Sequence, residues 1–299
     1  MRPVISVIMP VYNTAQFVYA AVDSILKQTF NDFEFIIIDD ASTDNTRQIL
    51  DEVSDCRIVR INNEAHTGNY SCRNQGLALA QGQYIAVMDG DDIALNDRLE
   101  VQFKFMETNP KYLAIGSNAE VFYENSKSYI SQLLSDSDKI KVRLLGGNVF
   151  FHPTLFFRKE IFDLYNICYN KEYYYAADYD LMLNISRIGE VTNIPEPLVR
   201  YRVHQNQITS SKHQEQMIYA DYIRLKQLDF FKLRPSTEET MIHLSLMKSY
   251  PVPNSKLIKA QKWCNKLLEK NHVLNLYNEE YLFAFFKERL KHSILTKKL

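Results

Sequence analysis

Glycine and proline are scarce in this chain, with 8 and 9 copies in 299 residues. No stretch is rich enough in either to read as a linker or low-complexity tract. Neither G-x-G-x-x-G nor G-x-x-x-x-G-K occurs. The dinucleotide-binding and P-loop readings, which depend on glycine-loop amides, therefore lose most of their support. The four cysteines, Cys56, Cys72, Cys168 and Cys264, lie far apart. They form no metal-type pair, and a reducing cytoplasm without a disulfide framework is expected. No apolar run reaches the ~20 residues that span a bilayer. The opening Met1-Arg2-Pro3-Val4-Ile5-Ser6 reads directly into a strand, which is taken to leave no room for a signal peptide.

What is present is an ordinary globular composition, 46% hydrophobic and 24% charged, with 19 Tyr and 17 Phe. These aromatics are core residues or stacking platforms for sugars and bases. The net charge of −1 hides an asymmetry. Residues 1–205 carry −8 and residues 206–299 carry +7. An acidic front and a basic tail predict two regions with different partners, a domain over 1–205 and a helical region over 206–299.

The first ninety residues alternate in period. Residues 4–9, 33–38 and 84–88 are short, mostly apolar runs, the pattern of parallel strands buried on both faces, and 57–61 reads as a further strand. Between them lie helical patterns, one from about Thr14 as N-cap through Phe17, Ala21 and Ile25. A second begins near Thr43 or Asp44, and a third runs through Tyr70, Arg73, Asn74 and Leu77 with Gly82 as a C′ residue. The order β-α-β-α-β-α-β implies an open parallel sheet with helices on its faces. Right-handed crossovers put all the strand ends on one edge. Tyr12, Asp40, Asp89, Asp91 and Asp92 thus gather where open α/β sheets bind ligands.

The run Asp89-Gly90-Asp91-Asp92 packs three carboxylates around one glycine. Each raises the cost of ionising the others unless a cation stands among them. A divalent ion with oxygen ligands, Mg²⁺ or Mn²⁺ beside substrate phosphates, meets that need. Taken alone, the run is equally compatible with a solvated acidic turn. Convergence with the other strand ends favours the metal.

Further along, a helix is expected over 95–107, a strand over 113–116 and a polar surface excursion over 123–137. Residues 149–157 read as a core strand with His152 near its start. A helix opens at Ala176-Ala177-Asp178-Tyr179-Asp180, its acids favourably placed at the N-terminus. Two late strands cover 191–194 and 198–203, the second followed by His204, a candidate ligand for metal or phosphate. Helices follow over 217–231, 255–270 and 279–295. Their lysines form either a solvated face or a basic surface for an anionic membrane.

Several segments together resemble the family 2 glycosyltransferases, over about residues 3–205. They are Ser6-Val7-Ile8-Met9-Pro10-Val11-Tyr12-Asn13, Asp39-Asp40-Ala41-Ser42-Thr43-Asp44, Arg73-Asn74-Gln75-Gly76-Leu77, Asp89-Gly90-Asp91-Asp92, Ala177-Asp178-Tyr179-Asp180-Leu181 and Tyr201-Arg202-Val203-His204. The resemblance implies a GT-A fold, a Rossmann-like open α/β sheet, with the helical region appended. It implies an inverting transfer of sugar from a nucleoside diphosphate, with a UDP-sugar as donor and Mn²⁺ or Mg²⁺ as cofactor. Pro10 and Tyr12 would lie against the nucleobase and Asp40 would hydrogen-bond to it. Arg73 and Asn74 would lie near the nucleoside and Asp89 at the ribose. Asp91 or Asp92 would reach the metal, joined by His204. Asp178 matches the general base, although many relatives have Glu where Ala177 stands and Asp180 is a near alternative. The acceptor would be a saccharide or lipid-linked glycan of bacterial surface polysaccharide, and no nucleic acid is expected. A cytoplasmic enzyme in peripheral contact with the inner membrane fits the basic tail.

A different class remains, a GT-A domain that binds nucleotide sugar or scaffolds a partner without turnover. The complete set Asp40, Asp91, Asp92 and Asp178 argues for the enzyme, since a binding module has no chemical need for Asp178. A nucleotidyltransferase would bring a glycine- and lysine-rich turn after the first strand, and residues 10–14 are not one.

Overall fold

The computed structural model describes residues 2–123, 127–205, 207 and 211–295. Two compact units form, one from Met1–Ser135 with Phe150–Ser211, the other from Asp136–Val149 with Lys212–Leu299. Among the described residues no helix is long and apolar enough to cross a membrane.

The first unit is built on one mixed sheet. Its opening strands are β1 (Ile5–Val11), β2 (Phe33–Asp39), β3 (Ile58–Asn62) and β4 (Tyr84–Val87), with α1 (Val18–Leu26), α2 (Thr46–Asp51) and α3 (Asn69–Leu79) between them. Then come β5 (Ile93–Ala94), α4 (Arg98–Thr108), β6 (Tyr112–Tyr123) and β7 (Tyr129–Ile130). After α5 (Ser137–Arg143), which belongs to the second unit, the chain adds β8 (Phe156–Arg158), α6 (Glu160–Tyr165), α7 (Ala177–Ile188) and β9 (Glu190–Val203). The strand order is β3-β2-β1-β4-β8-β6-β9-β5, with β7 paired to β6.

The apolar runs become strands because both faces are covered. Every residue of β2 is buried, as is all of β1 except Pro10. β1, β2, β3 and β4 are mutually parallel, and Val11 sits opposite Asp39 while Ile8 sits opposite Val87. That register aligns the ends of β1, β2 and β4. Ile5, Val7, Phe35, Ile37 and Ala86 on the sheet meet Val22, Ile25 and Leu99 in one core.

Several local expectations are corrected. Thr14 is not an N-cap; its carbonyl accepts from the Phe17 and Val18 amides, and α1 starts later, at Val18. Gly82 does not cap α3, whose C-cap is Ala80. Its small size is needed because a Cβ there would lie 2.6 Å from the Ser6 amide nitrogen. The two late strands are one, β9, whose register against β6 shifts between Ser117 and Ala119. Those shifts absorb the Pro195-Glu196-Pro197 segment, since proline cannot donate to a ladder. The short strand β8 begins only after a 3-10 turn at His152–Thr154. Part of the excursion expected over 123–137 lies outside the described residues, and within it β7 pairs with β6.

The second unit holds α5, α8 (His213–Phe230), α9 (Thr237–Met247), α10 (Leu257–Leu274) and α11 (Glu279–Leu295). They close over Leu228, Phe231, Leu246, Trp263, Leu267 and Phe286.

Candidate active site

Asn13 ties the end of β1 to the loop after β2. Its φ is 51°, and its Oδ1 accepts from the Thr43 amide at 2.8 Å. Left-handed backbone suits Asn better than most side chains. Pro10, near the end of β1, is half-buried, and Tyr12 is exposed with its ring 4.0 Å from the His66 ring.

Asp40 is buried and heavily hydrogen-bonded. Its Oδ1 accepts from the Thr67 amide and hydroxyl, both at 2.9 Å, and from Asn63 Nδ2 at 3.1 Å. Its Oδ2 accepts from the Gly68 amide at 2.7 Å and lies 2.9 Å from His66 Nδ1. Burial pushes its pKa up, but the bonds from Thr67, Asn63, Cys72 and Gly68 outweigh that and hold it below the usual value. Gly68 is held at φ 91°, where a side chain would be strained and would strike Tyr174. Asp40 thereby fixes the loop that starts α3.

Helix α3 carries Arg73 and Asn74. The Arg73 side chain is 1% exposed and its Nη2 donates to Asp89 Oδ1. Its Nε and Nη1 are buried and have no hydrogen-bond partner among the described residues. Buried, unmatched guanidinium donors are costly unless a ligand completes them. Asn74 clamps the backbone of Tyr169, donating to its carbonyl at 2.8 Å and accepting from its amide at 2.9 Å.

The turn after β4 brings Asp89, Asp91 and Asp92 together, with one ligand atom from each lying within 4.8 Å of the others. Burial, then Asp91, then Asp89 raise the Asp92 pKa well above the ordinary carboxylate value. Asp89 is raised by burial and by Asp91 despite Arg73. Asp92 Oδ1 accepts from the Arg202 amide at 2.7 Å, whereas its buried Oδ2 has no hydrogen-bond partner among the described residues. Hard oxygen donors, mutual repulsion and one orphaned buried oxygen are the properties of a divalent-cation site. The triad is poised to coordinate a divalent metal. His204, at the end of β9, places Nε2 2.9 Å from Asp91 Oδ2.

Asp178 and Asp180 occupy the first turn of α7 and part company there. Asp178 is half-buried and accepts from the Tyr70 hydroxyl at 3.1 Å. Asp180 is buried and accepts from Asn184 Nδ2 at 3.0 Å. The Tyr70 ring stacks on Tyr169 at 5.4 Å, and the Tyr169 hydroxyl is 2.9 Å from His152 Nε2. His152 Nδ1 is in turn 4.0 Å from Asp89 Oδ1. A continuous chain of polar and aromatic groups thus joins Asp178 to the acidic turn.

Sequence reasoning missed four residues of this site and its support. His152 was expected in the core; it faces Asp89, and burial and then Arg73 push its pKa well below the ordinary value, which keeps it neutral. Tyr70 and Tyr169 were indistinguishable from other aromatics. Arg98 was also missed: fully buried, it donates to the Val87 carbonyl at 2.7 Å, and burial lowers its pKa to about 10 although Asp92 and Asp89 oppose this.

The model of glycosyl transferase family 2 matches residues 6–165. This chain belongs to glycosyltransferase family 2. An "uncharacterized glycosyltransferase" of Haemophilus influenzae is 32% identical, over 97% of this chain and 92% of that protein. The UDP-Glc:alpha-D-GlcNAc-diphosphoundecaprenol beta-1,3-glucosyltransferase WfaP of Escherichia coli is 31% identical, over 71% of this chain and 82% of that one. Among solved structures, the mannosyltransferase PcManGT of Pyrobaculum calidifontis, in complex with GDP-Man and Mn²⁺, superposes with a TM-score of 0.58 at 16% identity. That alignment covers 100% of this chain and 89% of the other and supports the fold. As a family 2 glycosyltransferase with a GT-A fold, the protein carries the family's acidic metal-coordinating cluster at Asp89, Asp91 and Asp92.

Proposed function

We propose that the protein transfers a sugar, with inversion, from a nucleoside-diphosphate donor to a saccharide or lipid-linked acceptor in cell-surface polysaccharide synthesis. A UDP-sugar is the donor we favour. Support comes from WfaP, which by its name uses UDP-Glc and a diphosphoundecaprenol acceptor. The observation that carries the reading is the linkage of Asp178 to the acidic triad through Tyr70, Tyr169 and His152. It brings a carboxylate base and a leaving-group site into one constellation.

We assign the roles that the resemblance to the family implies. Pro10, Tyr12 and Asp40 take the nucleobase end, while Asp40 also holds the 63–68 loop. Arg73 and Asn74 lie along the nucleoside, and Asp89 meets the ribose. Asp91, Asp92 and His204 would hold Mn²⁺ or Mg²⁺. When bound, that ion supplies Lewis-acid stabilisation of the departing diphosphate. The buried Arg73 donors, Nε and Nη1, add fixed positive charge. Asp178 accepts the proton of the acceptor hydroxyl as its oxygen bonds to the anomeric carbon and the bond to the diphosphate breaks. One base and one leaving group make a single displacement, hence inversion. Asp180 is the weaker candidate because its carboxylate is buried against Asn184.

Catalysis is assigned to residues 1–205, with residues 206–299 as a separate helical region. We place the enzyme in the cytoplasm, in peripheral contact with the inner membrane through basic helices. Lys259 and Lys266 lie 2.6 and 2.9 Å from Glu238 and Glu239, and Lys256 lies 3.8 Å from Glu238, so other cations must supply that attraction. Failure to bind anionic liposomes at low salt removes the membrane clause.

The test is turnover. Nucleotide sugars are offered with Mn²⁺ or Mg²⁺ and a diphosphate-linked lipid acceptor, and nucleoside diphosphate release is followed with and without chelator. Chelator-sensitive release, reduced about 10²–10⁴-fold in Asp178→Asn, is expected. If no uridine or guanosine diphosphate sugar binds with metal present, the donor-site assignment falls.

A further inference from the structure

Donors crowd the Asp40 carboxylate. Its Oδ1 accepts from the Thr67 amide, the Thr67 hydroxyl and Asn63 Nδ2, and its Oδ2 accepts from the Gly68 amide and lies beside His66 Nδ1. Together these fill the roughly four lone-pair sites of a carboxylate. A nucleobase N–H must therefore displace one of them to reach Asp40. We propose that the His66 imidazole and the donor's nucleobase compete for one place, on Tyr12 and against Asp40, and that His66 thereby sets donor affinity. This rests on the assignment of Tyr12 and Asp40 to the nucleobase end, proposed above.

Two contacts make the imidazole a counterpart of the base. The His66 ring lies on the Tyr12 ring, with centroids 4.0 Å apart and planes inclined by 32°. A ring inserted between two others needs them about 7 Å apart, twice the contact distance of carbon atoms, so the base cannot enter while His66 stays. His66 Nδ1 lies 2.9 Å from Asp40 Oδ2 and 3.4 Å from the Asp40 carbonyl oxygen. Both are acceptors, so Nδ1 carries the proton and the imidazole presents a ring N–H to Asp40. Uracil with its N3–H, or guanine with its N1–H, would offer the same two features there, a flat face for Tyr12 and a ring N–H for the carboxylate.

The anchoring of the surrounding loop leaves the side chain as the part that moves. Thr67 is tied to Asp40 through its amide and hydroxyl, and Gly68 through its amide. Asn63 is tied through its side chain, and its amide donates to the Asp39 carbonyl at 2.8 Å. The His66 side chain, by contrast, is 43% exposed. Rotation about its side-chain bonds frees a face of Tyr12 and a site on Oδ2 while every one of those loop bonds is kept. A stack of two partly exposed rings is weak enough for a ligand to displace. It still lowers apparent affinity by the fraction of molecules in which His66 is swung out.

Calorimetry on the full chain with Mn²⁺ tests this, with UDP and GDP as probes. His66→Ala should tighten the nucleotide that binds by about fivefold, because removing a competitor raises the competent fraction. His66→Gln, which has no ring to lay on Tyr12, should shift affinity the same way. Loss of a merely structural residue would weaken binding, so the sign of the change decides. In the His66→Ala background, Tyr12→Ala should then weaken binding. In the wild type the same substitution takes a platform from base and competitor alike and should have a smaller effect. Affinity that is unchanged or lower in both His66 variants overturns the competition and leaves the donor-site assignment standing. Binding of neither nucleotide to wild type or variants overturns both.

Discussion

At the scale of single residues, the site depends on groups whose partners are buried. Tyr70 is the clearest case, because its hydroxyl donates to Asp178 and its ring is packed on Tyr169. Tyr70→Phe keeps the packing and removes one hydrogen bond to a charged group. Such bonds are worth about 1.5–3 kcal/mol. Steady-state kinetics should therefore show kcat lowered by about tenfold or more with KM little changed; an unchanged kcat would deny Tyr70 a positioning role. Asp92 makes an opposite prediction for stability and binding. Without cation, Asp92→Asn removes a buried charge opposed by Asp91 and Asp89, so its melting temperature should rise. The same variant should lose the stabilisation that Mn²⁺ gives the wild type, since a ligand bound only by the folded state adds stability by mass action. Differential scanning calorimetry with and without Mn²⁺ reads both effects.

At the scale of elements, strand ends and helix starts do the positioning. The parallel register of β1, β2 and β4 aligns Tyr12, Asp40 and the acidic turn, and α7 presents Asp178 while turning Asp180 inward. The second unit shows the same economy in α9. Ser236 accepts from the Glu239 amide while the Glu239 carboxylate accepts from the Ser236 amide, a complete capping box. Glu239 also meets Lys266 on α10. Ser236→Ala should cost about 1 kcal/mol, visible as a lower urea midpoint by circular dichroism. An unchanged midpoint would mean that α9 is held by packing alone. The Ser-x-x-Glu signal was in the sequence, yet α9 was not anticipated. Its apolar residues lack the one-sided spacing that marked its neighbours.

At the scale of the whole molecule, stability should depend on pH through His243. It is fully buried in the second unit, with Nδ1 accepting from Trp263 Nε1 at 3.3 Å and Nε2 3.4 Å from the Arg224 carbonyl. Burial is the main cause that lowers its pKa to about 4. The unfolded chain, with an ordinary histidine near 6.5, takes up a proton that the folded chain refuses. Between those two values the unfolded state binds more protons, so stability falls as pH falls from about 6.5 towards 4. The loss attributable to this residue is about 3 kcal/mol once complete. Chemical denaturation across that range should be steeper for wild type than for His243→Gln; parallel curves would exclude the histidine as the source.

The sequence by itself determined the sheet edge. Apolar runs of strand length, alternating with helical periods, admit few topologies, and right-handed crossovers bring their polar ends together. Asp89, Asp91 and Asp92 were legible because like charges at adjacent positions demand an explanation that packing does not provide. The tertiary structure alone decided which distant groups meet those ends. His152, Tyr70 and Tyr169 carry no local mark of function, being aromatic residues among many. Their importance arises from contacts between segments separated by up to about a hundred residues, as when Tyr70 reaches Asp178. The same holds for Arg143, Arg224, Lys248 and Arg289, which are scattered in sequence and line one cavity of the second unit only after its helices have packed. Periodicity reports which face of an element is buried; it does not report what lies against that face.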